Sequence, residues 1–277
     1  MISDHYFKVF NLPGGTMSSC FLVSVKGCCD IVFKSNKRNI LRDEVNFLKL
    51  YSDFDIVPNF LFNSPDFSMI AYEFIKGEVK NSIINKSNML KFLVDNLICK
   101  YVEIDTNGWG RLSTPSVTWK EYLQTLKEES HILLNGFLHF KFPNIDEFID
   151  KIINEIAIFN ENKKPHLLHG DLGFYNVIFC DDVISGIIDP MPIYGLPIYD
   201  LVFAFLSTID GLEELYILKI MDYLDFNSSF TTEYKIKEIL FGLYFRMGRC
   251  IKHHPHDINI YISAFEFWKK QLDLSDC

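Results

Sequence analysis

His169-Gly170-Asp171-Leu172-Gly173-Phe174-Tyr175-Asn176, followed by Ile187-Ile188-Asp189-Pro190, is the stretch on which the reading of this chain turns. It sets an Asp, an Asn five residues later and a second Asp thirteen residues after that, each held by apolar segments. Isolated Asp and Asn residues are ordinary turn formers. Three of them at these intervals beside strand-like apolar pairs fit a different task, the movement of a phosphoryl group from a magnesium nucleotide. One carboxylate accepts or steers the proton of an acceptor hydroxyl. An amide oxygen and the other carboxylate hold the metal that neutralises phosphate charge.

Around this stretch, Leu167-Leu168, Val177-Ile178-Phe179 and Gly186-Ile187-Ile188 read as short strands that carry loops. Upstream, residues 6–34 read as strands over Phe7–Phe10, Phe21–Val25 and Ile31–Lys34, with a turn at Lys26-Gly27. Ile40, Leu41, Val45, Leu48 and Tyr51 recur at helical spacing and predict a helix over 38–51. Strands follow at 60–62 and 69–74, and Gly77 marks a boundary. Beyond it, helices are predicted over 87–104, 118–134, 145–160, 199–209, 211–224, 231–252 and 257–272. The order is a small β-rich region over 1–77 and a larger, mainly helical region over 78–277.

Glu44 lies on the stripe of the 38–51 helix that should face inward. A carboxylate there is costly unless paired. Lys34, at the end of a strand ten residues earlier, is its natural partner. A Lys held by a Glu is a fixed positive point suited to phosphate oxygens. Gly14-Gly15-Thr16-Met17-Ser18-Ser19 sits between two predicted strands, where glycines and hydroxyls can approach phosphates. It equally fits an ordinary hairpin turn, and it is neither a GxGxxG loop nor a Walker loop.

The bulk numbers set limits. The 277 residues are 48% apolar and 23% charged, enough for a normal core and two modest lobes. No apolar run reaches the roughly 18 residues of a membrane helix, and no secretory leader is read at the N-terminus. Seven cysteines without paired spacing fit free thiols in a reducing cytoplasm. The net charge is −9. Residues 1–77 are balanced, with eight basic and eight acidic side chains; residues 78–277 hold 19 basic and 28 acidic. That balance speaks against a nucleic-acid surface. It serves solubility, or it forms an acidic bowl that draws in a cationic substrate. His253-His254-Pro255-His256 lacks metal-ligand spacing and reads as a surface turn, and Asn107–Arg111 reads as a plain turn.

The segment from His169 to Asp200 resembles the aminoglycoside phosphotransferase family of small-molecule kinases. It shares that family's His-Gly-Asp-Leu…Asn loop, its Ile-Ile-Asp-Pro, and Gly195-Leu196-Pro197-Ile198-Tyr199-Asp200-Leu201. Gly14-Gly15, Ser18-Ser19, Lys34, Glu44 and Glu73-Phe74-Ile75-Lys76-Gly77 fall in the family's order, so the resemblance spans about residues 10–210. It implies an α+β, bilobal protein-kinase-like fold, with a small β-rich N-terminal lobe and a larger helical C-terminal lobe. Asp171 would orient the acceptor hydroxyl, and Asn176 and Asp189 would bind Mg2+. Lys34, aligned by Glu44, would contact the α- and β-phosphates, with Ser18 and Ser19 under the β-phosphate. The backbone from Glu73 to Ile75 would read the base, Ile178 and Ile188 would wall its pocket, and Asp200 would support the loop at His169.

Gly170 stands where protein kinases usually carry Arg, and only eleven positions separate Asp189 from Asp200, too few for a long activation segment. Both point to a small diffusing acceptor rather than a protein. The expectation is therefore a cytoplasmic enzyme moving the γ-phosphate of ATP, or of GTP, to a hydroxyl of a small cationic molecule. It needs no nucleic acid, membrane or protein partner. An aminoglycoside-type antibiotic is the first choice of acceptor. A metabolic kinase for choline, a sugar or an amino-alcohol is the alternative, and a nucleotide-binding regulator that no longer transfers phosphate is a third.

Overall fold

The computed structural model describes residues 7–12, 18–80, 85–139, 141–224 and 229–275. Gly14 to Met17, and Asp225 among the acidic residues of the second region, lie outside the described residues. The chain divides into two compact units. The first comprises residues 1–80 and 175–192, and the second comprises 81–174 and 193–277. The expected boundary after residue 77 thus shifts by three residues, and a segment from the middle of the chain returns to the first unit.

The first unit is built on five antiparallel strands: β1 (Phe7–Asn11), β2 (Ser19–Val25), β3 (Ile31–Ser35), β4 (Phe60–Asn63) and β5 (Met69–Glu73). Their order is β1-β2-β3-β5-β4. Alternation along β3 sends Val32 and Lys34 to the covered face. Helix α1 (Arg38–Leu50) buries Leu41, Glu44, Val45, Phe47 and Leu48, a stripe with the 3.6-residue period of an amphipathic helix. Two further strands, β8 (Val177–Cys180) and β9 (Val183–Ile187), pair as a hairpin in which Val177 faces Ile187. Backbone bonds fasten that hairpin to the unit: Ile187 donates to the carbonyl of Ile56 at 2.8 Å, and Glu78 and Phe179 exchange N–H···O bonds of 2.9 Å. Gly77, at φ +136°, allows this approach, because a Cβ there would strike the Phe179 carbonyl.

The second unit holds a three-stranded antiparallel sheet, β6 (Gly110–Arg111), β10 (Ile193–Gly195) and β7 (His166–Leu168), in that order. Its helices are α2 (Lys86–Asn96), α3 (Trp119–Leu134), α4 (Ile145–Phe159), α5 (Pro197–Leu206), α6 (Tyr216–Met221), α7 (Thr232–His253) and α8 (Ile258–Ser275). The 22-residue α7 is the core element, packed on α3, α4, α5 and α8. Thr118 and Thr231 cap α3 and α7 by accepting from Glu121 and Tyr234 N–H groups at 3.1 Å.

Four helices depart from their predicted limits by two residues or more, among them α8, which runs to Ser275 rather than 272. The 87–104 helix ends at Asn96 and gives way to a 3-10 turn, Ile98–Lys100. The apolar period runs on there because Leu97, Ile98 and Tyr101 are all buried, though not as α-helix. Helix α5 starts at Pro197, whose fixed φ suits a first helical position. Residues 211–215 are not helical, and Gly211 has φ +62°. Among the described residues, six cysteines are free thiols and no helix is long and apolar enough to cross a membrane.

Trp268 anchors α8. It is wholly buried, and its indole N–H donates to the Leu212 carbonyl at 2.7 Å. Trp268→Ala removes both the packing and that bond, and we expect it to cost about 3–5 kcal/mol in urea unfolding; a loss below about 1 kcal/mol would contradict the anchoring role.

Candidate active site

In the first unit, β3 and α1 bring Lys34 and Glu44 together as the sequence predicts. The Lys34 Nζ lies 2.7 and 2.9 Å from the two Glu44 carboxylate oxygens and 3.0 Å from Oδ1 of Asp189. Lys34 is 3% exposed and Glu44 1%. Burial alone would discharge the ammonium. The two carboxylates outweigh it and hold Lys34 above the ordinary lysine range, so it stays charged. Asp189 is the most open of the three, its side chain 33% exposed. It sits at φ +56°, a left-handed conformation uncommon for a side-chain-bearing residue.

The β8–β9 hairpin places the two expected metal ligands at one end. Ile188, just before Asp189, donates its N–H to the backbone carbonyl of Asn176 at 2.9 Å. Asn176 is buried and Ile188 half-buried. Ile75 and Ile178 share one apolar surface of this unit. Ile178 pairs with Gly186, a Cβ on Gly186 would strike Ile75, and a Cβ on Gly77 would come within 2.8 Å of Ile178. In the expected hinge, the N–H groups of Glu73 and Phe74 are bonded to the carbonyls of Asn59 and Asp30 at 2.9 and 2.8 Å. Ser18 accepts a hydrogen bond from the Asn36 amide at 2.7 Å, and Ser19 pairs with Ser35 across β2 and β3.

In the second unit, β7 leads into the loop that carries Asp171. Asp200, fully buried on α5, gathers that loop. Its Oδ2 accepts from the His169 N–H at 2.9 Å, and its Oδ1 from the Gly170 N–H at 3.1 Å. The expected link between Asp200 and the His169 backbone is therefore present. Gly170 has φ +79°, which explains why a glycine suits this position. Next to it, the Asp171 N–H reaches His169 Nδ1 at 3.3 Å and the Asp171 carbonyl accepts from Gly173 at 2.8 Å. Burial pushes the Asp200 carboxyl up to about 7, against the pull of its three donors.

Two members of this loop support are absent from the sequence reading. The Tyr101 hydroxyl donates to Asp200 Oδ2 at 2.6 Å, and Ser207 Oγ accepts from the Phe174 N–H at 3.0 Å. Trp109 and Ser116 form a bridge, and Arg111 in β6 pairs with Glu129 at 2.6 Å, so Asn107–Arg111 is more than a plain turn. Among the acidic residues of this unit, Asp222 is paired with Lys235.

A protein-family model described as fructosamine kinase matches residues 94–263, more than half of the chain. The chain belongs to the fructosamine kinase family. It is a kinase, a phosphotransferase of the small-molecule type. No match is found among the curated proteins. Solved structures give its fold. A protein assigned as a fructosamine-3-kinase from Thermobifida fusca is 14% identical with a TM-score of 0.65, over 96% of this chain and 93% of that one. Choline kinase from Cryptosporidium parvum Iowa II is 16% identical at TM-score 0.63, over 99% and 92%. An aminoglycoside phosphotransferase in ternary complex with AMP-PNP and hygromycin B is 14% identical at TM-score 0.56, over 98% and 95%. The fold is the protein-kinase-like fold that these small-molecule kinases share. The resemblance to aminoglycoside phosphotransferases thus led to the right group of kinases, while the family model that matches is that of fructosamine kinase.

Tyr101→Phe should leave the Asp200 carboxylate short of one buried donor. We expect a loss of about 1–3 kcal/mol and faster hydrogen exchange at the amides of His169 and Gly170; unchanged exchange there would remove Tyr101 from the loop support.

Proposed function

We propose that this kinase transfers the γ-phosphoryl group of ATP, or of GTP in its place, to a hydroxyl of a small aminated sugar. The clamped lysine carries this reading. An ammonium buried between Glu44 and Asp189 suits α- and β-phosphate oxygens. The presence of Asp171, Asn176 and Asp189 as well as Lys34 weighs against a regulator that has lost transfer. In the second unit, Asp171 orients the acceptor hydroxyl and takes up its proton as the new P–O bond forms and the bond to the leaving ADP breaks. Asp200 is a positioning residue, holding the backbone at His169 and Gly170 so that Asp171 is preset.

The oxygen donors at the end of the β8–β9 hairpin, the Asn176 amide and the Asp189 carboxylate, fit a hard cation such as magnesium. Magnesium held there would neutralise phosphate charge. Ile75, Ile178 and Ile188 offer an apolar surface to the base, and Ser18 and Ser19 hydroxyl donors to the β-phosphate.

For the acceptor, the family model favours a fructosamine over the aminoglycoside that the sequence first suggests. Both are polyhydroxylated amines, and the excess of acidic residues beyond residue 77 suits either. A choline-type acceptor is a second reading, supported by the equally close fold of the choline kinase.

Asp171→Ala is expected to lower kcat about 10²–10⁴-fold while nucleotide affinity stays within a few-fold. Asp189→Ala should instead abolish the magnesium dependence of nucleotide binding in a titration. Wild-type turnover in the first variant, or an unchanged magnesium titration in the second, would defeat the assignment. A magnesium-ATP turnover panel of fructosamines, aminoglycosides and choline should show its highest kcat/KM with a fructosamine; preference for choline would overturn the aminated-sugar reading.

A further inference from the structure

His131 lies in the last turn of α3, Asp146 in the first turn of α4, and His139 in the turn between them. Their donor atoms converge. His131 Nδ1 is 3.1 Å from Asp146 Oδ1, His139 Nε2 is 2.9 Å from Asp146 Oδ2, and one donor atom from each residue fits within a 4.8 Å span. From the side, buried Tyr244 on α7 donates its hydroxyl to Asp146 Oδ1 at 3.3 Å. We propose that His131, His139 and Asp146 form a binding site for a divalent transition-metal ion of the zinc type, separate from the groups assigned to phosphoryl transfer.

The chemistry of the set selects the ion. Two imidazoles and one carboxylate suit zinc and its first-row neighbours, whereas magnesium and calcium prefer oxygen donors alone. Zinc binds nitrogen at about 2.0–2.1 Å, so tetrahedral ligands stand about 3.4 Å apart. The two imidazole–carboxylate separations, 3.1 and 2.9 Å, are already close to that. All three side chains are partly exposed, which lets water fill the remaining position. Tyr244 acts as the outer partner that orients a ligating carboxylate. Because the ligands come from the end of one helix, the start of the next and the turn between, the ion would tie α3 to α4.

A second group, His254, His256 and Asp257, also converges within 4.8 Å, but all three come from one exposed turn with no outer partner shown. It supplies the control. Calorimetric titration of the chelator-treated full chain with zinc chloride at pH 7.5 should show one high-affinity equivalent. His139→Ala and Asp146→Asn should each weaken it at least tenfold, and His256→Ala should leave it unchanged. In wild-type protein, the imidazole NMR signals of His131 and His139 should shift at one equivalent. No saturable uptake, unshifted signals, or a loss that follows His256→Ala would overturn the proposal. The first two outcomes would leave Asp146 as a hydrogen-bonding partner of the imidazoles only.

Discussion

A lysine ammonium taken out of water is among the most expensive groups a fold can hold, and the first unit is organised around one. Lys34 is tolerable at 3% exposure because two carboxylates from separate parts of the chain converge on it. Glu44 has to sit on the buried stripe of α1, which fixes the rotation of that helix against the sheet. Asp189 has to arrive from 155 residues away, which requires the β8–β9 hairpin to be fastened to the unit. Removing Glu44 would leave buried Lys34 facing the more open Asp189, and breaking a buried pair costs about 3–5 kcal/mol. The triad therefore binds the strand, the helix and the distant hairpin to one electrostatic condition.

The second unit solves a different problem with the same kind of group. Asp200 is a buried carboxylate whose partners are mostly backbone N–H groups, and those donors cannot rotate away as side chains can. Because it accepts from two successive residues, it fixes the path of the loop rather than a single point. The left-handed Gly170 makes that path possible. Tyr101 completes the carboxylate's shell from the segment after the 3-10 turn, where the chain has already left its helix at Asn96.

Much of this could be read from the sequence, and the failures share a cause. Glu44 on an inward stripe pointed to Lys34, and the motif around Asp171, Asn176 and Asp189 pointed to the small-molecule phosphotransferases, the group to which the chain belongs, because both signals lie within one or two local elements. Tyr101 and Ser207 were missed because their partners are 99 and 33 residues away and nothing in their own neighbourhood marks them. The strand Ile193–Gly195 was hidden by flanking prolines, which bracket the strand without interrupting its three residues. His131, His139 and Asp146 escaped notice because a helix end, a turn and a helix start have no common period.

The return of residues 175–192 to the first unit bears on how the protein is made. On the ribosome, the second acid of the Lys34 triad and the hairpin pinned to Ile56 and Glu78 emerge more than 90 residues after residue 80. Until then the nascent first unit holds the Lys34–Glu44 pair without its second carboxylate, and the hairpin that packs at Ile75 and Gly77 is missing. Its closure is a long-range event of the kind that slows folding, and it cannot precede synthesis of the loop that bears Asp171. A polypeptide cut short before that loop would lack the hairpin that completes the first unit, which couples completion of the lysine clamp to the presence of the Asp171 loop.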